Sequence, residues 1–417
     1  MKKFLSIVAL EMKAIVRSGM FASLCAVSVL WMIVSPYLLK GDGTAQGARE
    51  LYVRFSLGVV FVLAAVTLIA AATGSIAGER RARRLQLTLV RPVGRFAVAL
   101  GKVISYSLSG AAVMLLSALV MLANTDPSVR CDRVVAPVLP SPAEEARAMY
   151  ETFMNDPSTP PEVKRAKKSV VMRLLTQRAV DHYQTVPTND PVRWSFKLPS
   201  SGELSVRMRF TNQFDMRQDL LGRFVYGGKT VAVSNITQAI LKVPLGAQAR
   251  LSGGAAEELE FCNLGKTALM LRPRKDLHLL ISADAFGFNL MRAWLELSAI
   301  LTLLVAFGVF LSSGLGRPVA LFVALAVLLS GEVSPSVISQ YPDELETKTV
   351  DRIGLYLTRF SAEITRPFSS LSPLQSLSRD ECVELGEVVR VLLVNCIAVP
   401  ALFCLLAAYL MPRKQDY

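Results

Sequence analysis

Three short fragments contain glycine, lysine and hydroxyl residues in an order typical of nucleotide-binding sites. They are Gly265-Lys266-Thr267, Gly228-Lys229-Thr230 and Leu251-Ser252-Gly253-Gly254. A phosphate-binding loop also needs a glycine five positions before its Gly-Lys pair, because its backbone N–H groups must surround the phosphates. Glu260 and Arg223 occupy those positions. We therefore expect no ATP-binding site and no bound cofactor in this chain.

Ionisable residues at the ends of apolar stretches form a second set of candidates. Arg292 and Glu296 are four residues apart, which places them on one face of a helix. Such a pair inside a membrane marks a substrate path, whereas near the headgroups it is a structural ion pair, and both interpretations stay open. Glu332 could likewise face a cavity or reach the outer interface. No catalytic triad or metal-ligand cluster is evident, so we expect neither an enzyme nor a metal site.

The segment from Gly74 to Lys102 is the most basic part of the chain. It contains seven Lys and Arg residues and a single acid, Glu79, between two long apolar stretches. Short basic loops between membrane spans stay in the cytoplasm. We therefore predict a cytoplasmic loop at 78–95, and its pattern indicates a docking site for a cytoplasmic partner.

The elements that must position these residues are membrane spans. The chain is 52% hydrophobic and only 19% charged, and several apolar runs reach the roughly 20 residues that a crossing requires. We predict a polytopic α-helical membrane protein with six transmembrane helices, at about 21–39, 57–77, 96–123, 290–311, 319–329 and 388–410. The fifth is short, so it is either a re-entrant helix or a crossing extended to Ile338.

The net charge of +13 follows this topology. Residues 1–19, 78–102, 317 and 412–417 hold 14 Lys and Arg residues but only three acids. Basic residues at the ends of apolar spans are typical of the cytoplasmic side and of contact with anionic lipids. This distribution favours a membrane protein with both termini in the cytoplasm, and it argues against a nucleic-acid partner.

The remaining segments complete the predicted organisation. Residues 1–19 have apolar residues at helical spacing and predict a cytoplasmic interfacial helix. Spans one to three lie in 20–123, spans four and five in 288–332, and span six with a cytoplasmic tail in 388–417. Residues 333–387 predict extracytoplasmic amphipathic helices, with a helical stripe at Ile353, Leu357, Phe360 and Ile364. Ser378-Arg379-Asp380-Glu381 fits a capping box that would begin the helix of the sixth span.

The insert at 124–287 is predicted to be an extracytoplasmic α+β domain. Its first part, 141–182, is predicted to be helical, because Ser141–Glu144 and Thr159–Glu162 each fit a capping box with proline. From 190 to 287 the period changes to two, and a Gly227-Gly228 turn predicts a hairpin, so we expect a small β-sandwich. One disulfide among Cys131, Cys262 and Cys382 is compatible with this location.

The basic loop resembles the segment between spans two and three of ABC-2-type ABC transporter permeases, in a longer form with a large extracytoplasmic insert. The matching residues are Glu79-Arg80-Arg81, Leu85–Leu89, Arg91-Pro92-Val93-Gly94-Arg95 and Gly101-Lys102. The family pattern has Gly-Thr-Leu-Glu where this chain has Arg84-Leu85-Gln86-Leu87. The resemblance covers the membrane portion and does not extend to 124–287.

The resemblance implies that this chain is a permease subunit of the bacterial inner membrane. Its loop would be a coupling helix that docks on a separate cytoplasmic ABC ATPase, and that ATPase would bind ATP and Mg. Two permeases, as a homodimer or a pair, would work with two ATPases. The implied coupling residues are Glu79, Arg80, Arg84, Leu85, Leu87, Leu89, Arg91, Pro92 and Arg95.

Two hypotheses remain open at this point. In the first, the chain couples ATP hydrolysis in its partner to export or to extracytoplasmic work. In the second, it is a membrane-anchored β-sandwich binding or sensor protein without an ATPase partner. The arginines of the loop could pair with acids of an ATPase or bind anionic lipids, whereas the leucines are the better candidates for a buried contact.

Overall fold

The computed structural model describes residues 2–39, 45–81, 94–126, 128–156, 168–180, 182–199, 202–211, 219–237, 240–249, 256–340 and 371–411. The chain divides into two compact units. Residues 1–129 and 285–417 form one, which we call the helical unit, and residues 130–284 form the other, which we call the β unit.

The helical unit is built mainly from long apolar helices. Its helices are α1 (Lys2–Arg17), α2 (Gly19–Leu38), α3 (Ala45–Arg81), α4 (Arg95–Ala123), α8 (Phe286–Gly314), α9 (Arg317–Gln340), α10 (Leu371–Ser378), α11 (Leu385–Leu392) and α12 (Val399–Leu410). A π-helical turn, Leu393–Ala398, joins α11 to α12. Pro400 is the second residue after this turn, and proline removes a backbone donor and crowds the preceding turn, so the local change in hydrogen bonding has a physical cause.

Five helices in the described part of the chain are long and apolar enough to cross a membrane. They are Gly19–Leu38, Gly47–Arg81, Arg95–Ala123, Phe286–Gly314 and Leu385–Leu410. The prediction of apolar helices of membrane length is thus confirmed at five of six positions. The remaining predicted span lies in α9, where the short apolar part is Arg317–Ser330 and the helix continues to Gln340.

Helix α8 lies at the centre of the helical unit. It packs against α3, α4, α11 and α12, and most of its residues are buried. Small residues allow this close approach: a Cβ at Gly308 would lie 3.0 Å from Ala72 Cβ, and one at Gly110 would lie 2.6 Å from Leu68 Cδ1. Close backbone contact at small residues is the usual way in which helices associate within a membrane.

The prediction that Ser378–Glu381 begins the last span is wrong. Helix α10 ends at Ser378, and the next helix begins only at Leu385. Glu381 N donates to Ser376 O at 2.8 Å, and Asp380 N donates to Leu377 O at 3.2 Å. Asp380 has a φ of 58°, so these bonds form the left-handed cap that closes a helix C-terminus. The same four residues therefore end one helix instead of beginning another.

The described residues of the β unit form two four-stranded sheets and a small two-stranded one. Their strands are β1 (Arg130–Val135), β2 (Gln184–Val186), β3 (Pro191–Lys197), β4 (Gly202–Arg209), β5 (Asp219–Tyr226), β6 (Lys229–Ile236), β7 (Ile240–Ala249), β8 (Ala256–Asn263), β9 (Leu269–Leu271) and β10 (Leu277–Ala285). The orders are β1-β10-β4-β7, β3-β8-β5-β6 and β2-β9.

The two larger sheets share one apolar core. Buried residues of both sheets belong to the same cluster, in which the ring of Phe261 lies 4.8 Å from that of Phe210 and 4.7 Å from that of Phe224. Two sheets with a common core are the basis of a β-sandwich. The predicted hairpin is present as β5 and β6, and Gly227 and Gly228 have φ angles of 55° and 78°. Positive φ at both positions is what a two-residue hairpin turn requires.

Two helices of the β unit precede most of its strands, α5 (Pro142–Asn155) and α6 (Lys168–Val180), and a short helix, α7 (Pro273–Asp276), lies between β9 and β10. The predicted capping box of α5 is confirmed, since Ser141 Oγ accepts from Glu144 N at 3.2 Å and Ser141 N donates to Glu144 Oε2 at 2.8 Å. This backbone donor lowers the pKa of Glu144 from its ordinary value. The predicted box at Thr159–Glu162 and the stripe at Ile353–Ile364 lie outside the described residues.

Candidate functional site

The described ends of the basic segment form the candidate site. Helix α3 ends with Glu79, Arg80 and Arg81, and α4 begins at Arg95 after the N-cap Gly94. Three predicted coupling residues, Glu79, Arg80 and Arg95, are therefore described. The other six lie outside the described residues: Arg84, Leu85, Leu87, Leu89, Arg91 and Pro92.

A buried lysine joins the two ends of this segment. Lys102 Nζ lies 2.6 Å from Glu79 Oε1 and 2.7 Å from Glu11 Oε1. The lysine side chain is only 2% exposed, while the carboxylates are 19% exposed at Glu11 and 26% at Glu79. Since a buried ammonium needs a nearby anion, this triad ties α1, the end of α3 and the beginning of α4 together.

Small residues on α4 allow α1 to reach this lysine. A Cβ at Gly101 would lie 2.9 Å from Ile7 Cγ2, and Ser105 Oγ lies 3.2 Å from Val8 O. Ser109 Oγ, one turn further, contacts Met12 Sδ at 3.6 Å. Gly101, Ser105 and Ser109 are spaced four residues apart, so they present one face of small residues along which α1 lies. This spacing is the sequence signal that could have predicted the contact.

Arg80 connects the end of α3 to the end of α8. Its two Nη atoms donate to Ser313 O and Leu315 O, each at 3.3 Å. These carbonyls belong to the last turn and C-cap of α8, where a cation also complements the helix dipole. One turn earlier in α3, Ser312 Oγ accepts from the backbone N–H groups of Ile76 and Ala77 at 3.1 and 2.9 Å.

Arg95 makes an equivalent contact at the other end of the segment. Its Nη1 donates to Met411 O at 3.1 Å, and Met411 is the C-cap of α12. Each end of the segment is thus held by an arginine on the C-terminus of another helix. Together with the Lys102 triad, these bonds connect the segment to α1, α8 and α12.

The predicted intramembrane residues lie on α8 and α9. Glu296 is 3% exposed, and its Oε1 has no hydrogen-bond partner within the described part of the chain. Arg292 Nη1 donates to Val383 O at 3.3 Å. The sequence reasoning missed a neighbouring contact, which Asn289 makes. Asn289 donates to Glu381 O at 2.8 Å and accepts from Val383 N at 2.7 Å. Glu332 lies in α9, and its side chain is not described.

The two nucleotide-like fragments that are described lie in turns. Gly228-Lys229-Thr230 belongs to the hairpin of β5 and β6. Gly265-Lys266-Thr267 lies between β8 and β9, where the Asn263 side chain accepts from Gly265 N and donates to Thr267 O, both at 2.9 Å. The backbone groups of this turn thus bond to a side chain, and a strand follows where a phosphate loop needs a helix. Leu251–Gly254 lies outside the described residues.

The cysteines and acids form no cross-link or metal site in the described part of the chain. None of the six cysteines forms a disulfide, so the structure does not contain the one considered among Cys131, Cys262 and Cys382. The described ranges contain no group of three His, Cys, Asp or Glu side chains that could hold a metal ion.

A scan against protein-family models finds no match to this chain, and a search of the curated proteins finds none.

Proposed function

We propose that this chain is the membrane subunit of an ATP-driven transporter of the ABC-2 type. In this proposal, 79–95 is the coupling segment, and it docks on a separate cytoplasmic ATPase. The observation that carries the proposal is the anchoring of both ends of this segment on the ends of other helices through Arg80, Arg95 and the Lys102 triad.

The anchoring supports coupling because a docking segment must transmit displacement to the spans. A segment hinged on flexible ends would absorb a push from the ATPase, whereas one held by charged bonds passes it to the attached helices. Arg80 would pass it to α8, the most buried helix of the unit, and Arg95 to α12. Lys102 would move α1 together with α3 and α4.

The rest of the proposal follows from this assignment. The ATPase binds ATP and Mg, and this chain hydrolyses neither ATP nor another substrate. Two copies of the chain, or this chain with a similar one, assemble with two ATPases in the bacterial inner membrane. Both termini and the coupling segment lie in the cytoplasm, and the β unit lies outside it. The complex exports a substrate or performs work outside the cytoplasm, and nucleic acid has no part.

A second candidate is a membrane-anchored binding or sensor protein without an ATPase. The β unit favours it, because 130–284 is a compact unit with its own apolar core. It also presents two neighbouring apolar side chains to solvent, Leu221 at 47% and Leu264 at 48% exposure, joined by a backbone bond of 2.9 Å. Isolated exposed leucines are common, so this pair alone does not outweigh the anchored segment.

Purification from native membranes separates the two candidates. We expect the tagged chain to recover an ATPase subunit, and we expect Leu87→Asp to abolish that recovery, because an apolar anchor of the docking segment becomes charged. Leu264→Asp is the matched control, since it makes the same change at an exposed leucine of the β unit and should leave recovery unchanged.

A second measurement tests coupling apart from docking. Arg80→Gln keeps the predicted docking leucines but removes the bonds to α8, so we expect the ATPase to be recovered with its hydrolysis no longer responsive to the permease. Recovery of no ATPase from wild-type membranes would contradict the first candidate and favour the second.

A further inference from the structure

The helical unit contains an open cavity of about 290 Å³ beside the Lys102 triad. It is bounded by α1, α2, α3 and α4 and by Arg317 at the beginning of α9. Most of the lining is apolar, including Ile15, Phe21 and Leu68. The volume lies just below the range for small-molecule sites, which begins at about 300 Å³.

The polar groups of the cavity are three hydroxyls that bond to the backbone, the phenol of Tyr106 and two opposite charges. The hydroxyls of Ser18, Thr67 and Ser75 donate to carbonyls of their own chain segments at 2.6 to 2.7 Å. The charged lining residues are Glu11, which also binds Lys102, and Arg317. A ligand would therefore meet one carboxylate and one guanidinium above an apolar wall.

Gly74 positions the guanidinium at this cavity. A Cβ at Gly74 would lie only 3.2 Å from Arg317 Nε and 3.6 Å from its Cδ. The absence of a side chain at position 74 thus lets the arginine lie against α3. Arg317 is exposed, and no ion pair to it is found among the described residues.

We propose that this cavity binds one phosphatidylethanolamine molecule. The phosphate would bind Arg317, the primary ammonium would donate to Glu11, and part of an acyl chain would occupy the apolar wall. Phosphatidylglycerol would place the same phosphate at Arg317, but its headgroup has no ammonium to neutralise Glu11, and a choline headgroup has no N–H to donate. This inference does not depend on the proposed function, because it rests on the cavity and its charges.

Native mass spectrometry of the purified, delipidated full-length chain tests the proposal. We expect one dioleoyl phosphatidylethanolamine per chain, with an affinity about tenfold above that for dioleoyl phosphatidylcholine or phosphatidylglycerol, because neither of these lipids offers Glu11 an ammonium N–H. Soluble glycerophosphoethanolamine should not displace the lipid, since it lacks the acyl chains.

Two variants and two matched controls locate the site. Arg317→Gln should weaken phosphatidylethanolamine binding about tenfold, and Ala71→Phe should abolish it by filling the cavity. Arg17→Gln removes another exposed cation of the helical unit, and Val66→Phe adds the same ring to an exposed position of α3, so both should bind as wild type does.

The proposal is overturned by any of three results. The first is equal affinity for phosphatidylcholine or phosphatidylglycerol, and the second is no binding of added phosphatidylethanolamine to the wild type. The third is a loss of binding in the two controls that equals the loss in Arg317→Gln and Ala71→Phe. Because Arg317 is exposed, its substitution should leave the fold intact, and monodispersity in detergent checks this for Ala71→Phe.

Discussion

The Lys102 triad offers the sharpest test of how the proposed coupling segment is anchored. In Lys102→Met, the two carboxylates that contact Nζ at 2.6 and 2.7 Å lose their common counter-ion. Removing one member of a buried ion pair destabilises a protein by about 3–5 kcal/mol. Because Glu11 and Glu79 are 19% and 26% exposed, water partly solvates them, and we expect roughly 2–3 kcal/mol.

The measurement follows a buried thiol of the same unit. Cys404 is 1% exposed in α12, so a thiol-reactive fluorescent dye labels it only when the helices separate. In a background where Cys404 is the only cysteine, we expect the midpoint of thermal labelling to fall by roughly 5 °C for Lys102→Met. Lys13→Met, an exposed lysine of α1, is the control and should change the midpoint little.

A charge-neutral variant separates the electrostatic cause from lost packing. Combining Lys102→Met with Glu11→Gln and Glu79→Gln removes all three charges, so most of the lost stability should return. The reasoning is refuted if this triple variant is no more stable than Lys102→Met alone. It is also refuted if Lys102→Met lowers the midpoint no more than Lys13→Met does.

Two further predictions concern local packing and capping. Gly101→Leu should separate α1 from α4 and increase amide exchange in α1, because even a Cβ would approach Ile7 Cγ2 at 2.9 Å. Gly78→Ala is the control and should leave amide exchange in α1 unchanged, since nothing lies within 4 Å of a Cβ at Gly78. Equal exchange in both variants would contradict the contact between α1 and α4. Glu144 has a lowered pKa, so its stabilisation of α5 is present above its ordinary value of 4.5 and is lost as the pH falls through the lower folded pKa. Amide exchange in α5, corrected for intrinsic rates, should show this acid loss in the wild type and not in Glu144→Gln, and identical profiles would contradict it.

The elements that sequence reasoning predicted well are those that local rules determine. A helix that crosses a membrane must satisfy its own backbone groups and be apolar over its length, so the run itself reveals it. The Gly227-Gly228 hairpin and the Ser141 capping box depend on neighbouring residues, and both are present. Two strands were missed, β2 because it has only three residues and β1 because its sequence, Arg-Cys-Asp-Arg-Val-Val, does not alternate between apolar and polar residues.

Ser378–Glu381 shows why a local pattern can fail. The four residues fit a helix start, but the bonds of Glu381 and Asp380 close α10 instead. Tertiary contacts agree with this outcome, since Arg49 pairs with Asp380 and Asn289 holds both Glu381 O and Val383 N. Residues far away in the chain determine which end of a helix such a pattern forms.

The sequence by itself determined that the chain has several membrane-length helices, a basic segment between two of them and a β-rich insert. These properties depend on composition and short-range period, which can be read without knowing any contact. Only the tertiary structure decided that Lys102 meets Glu11 and Glu79, and that Arg80 and Arg95 bind the ends of α8 and α12. Glu11 is 91 residues from Lys102 and Arg80 is 233 from Ser313, so packing of distant helices brings these charges together.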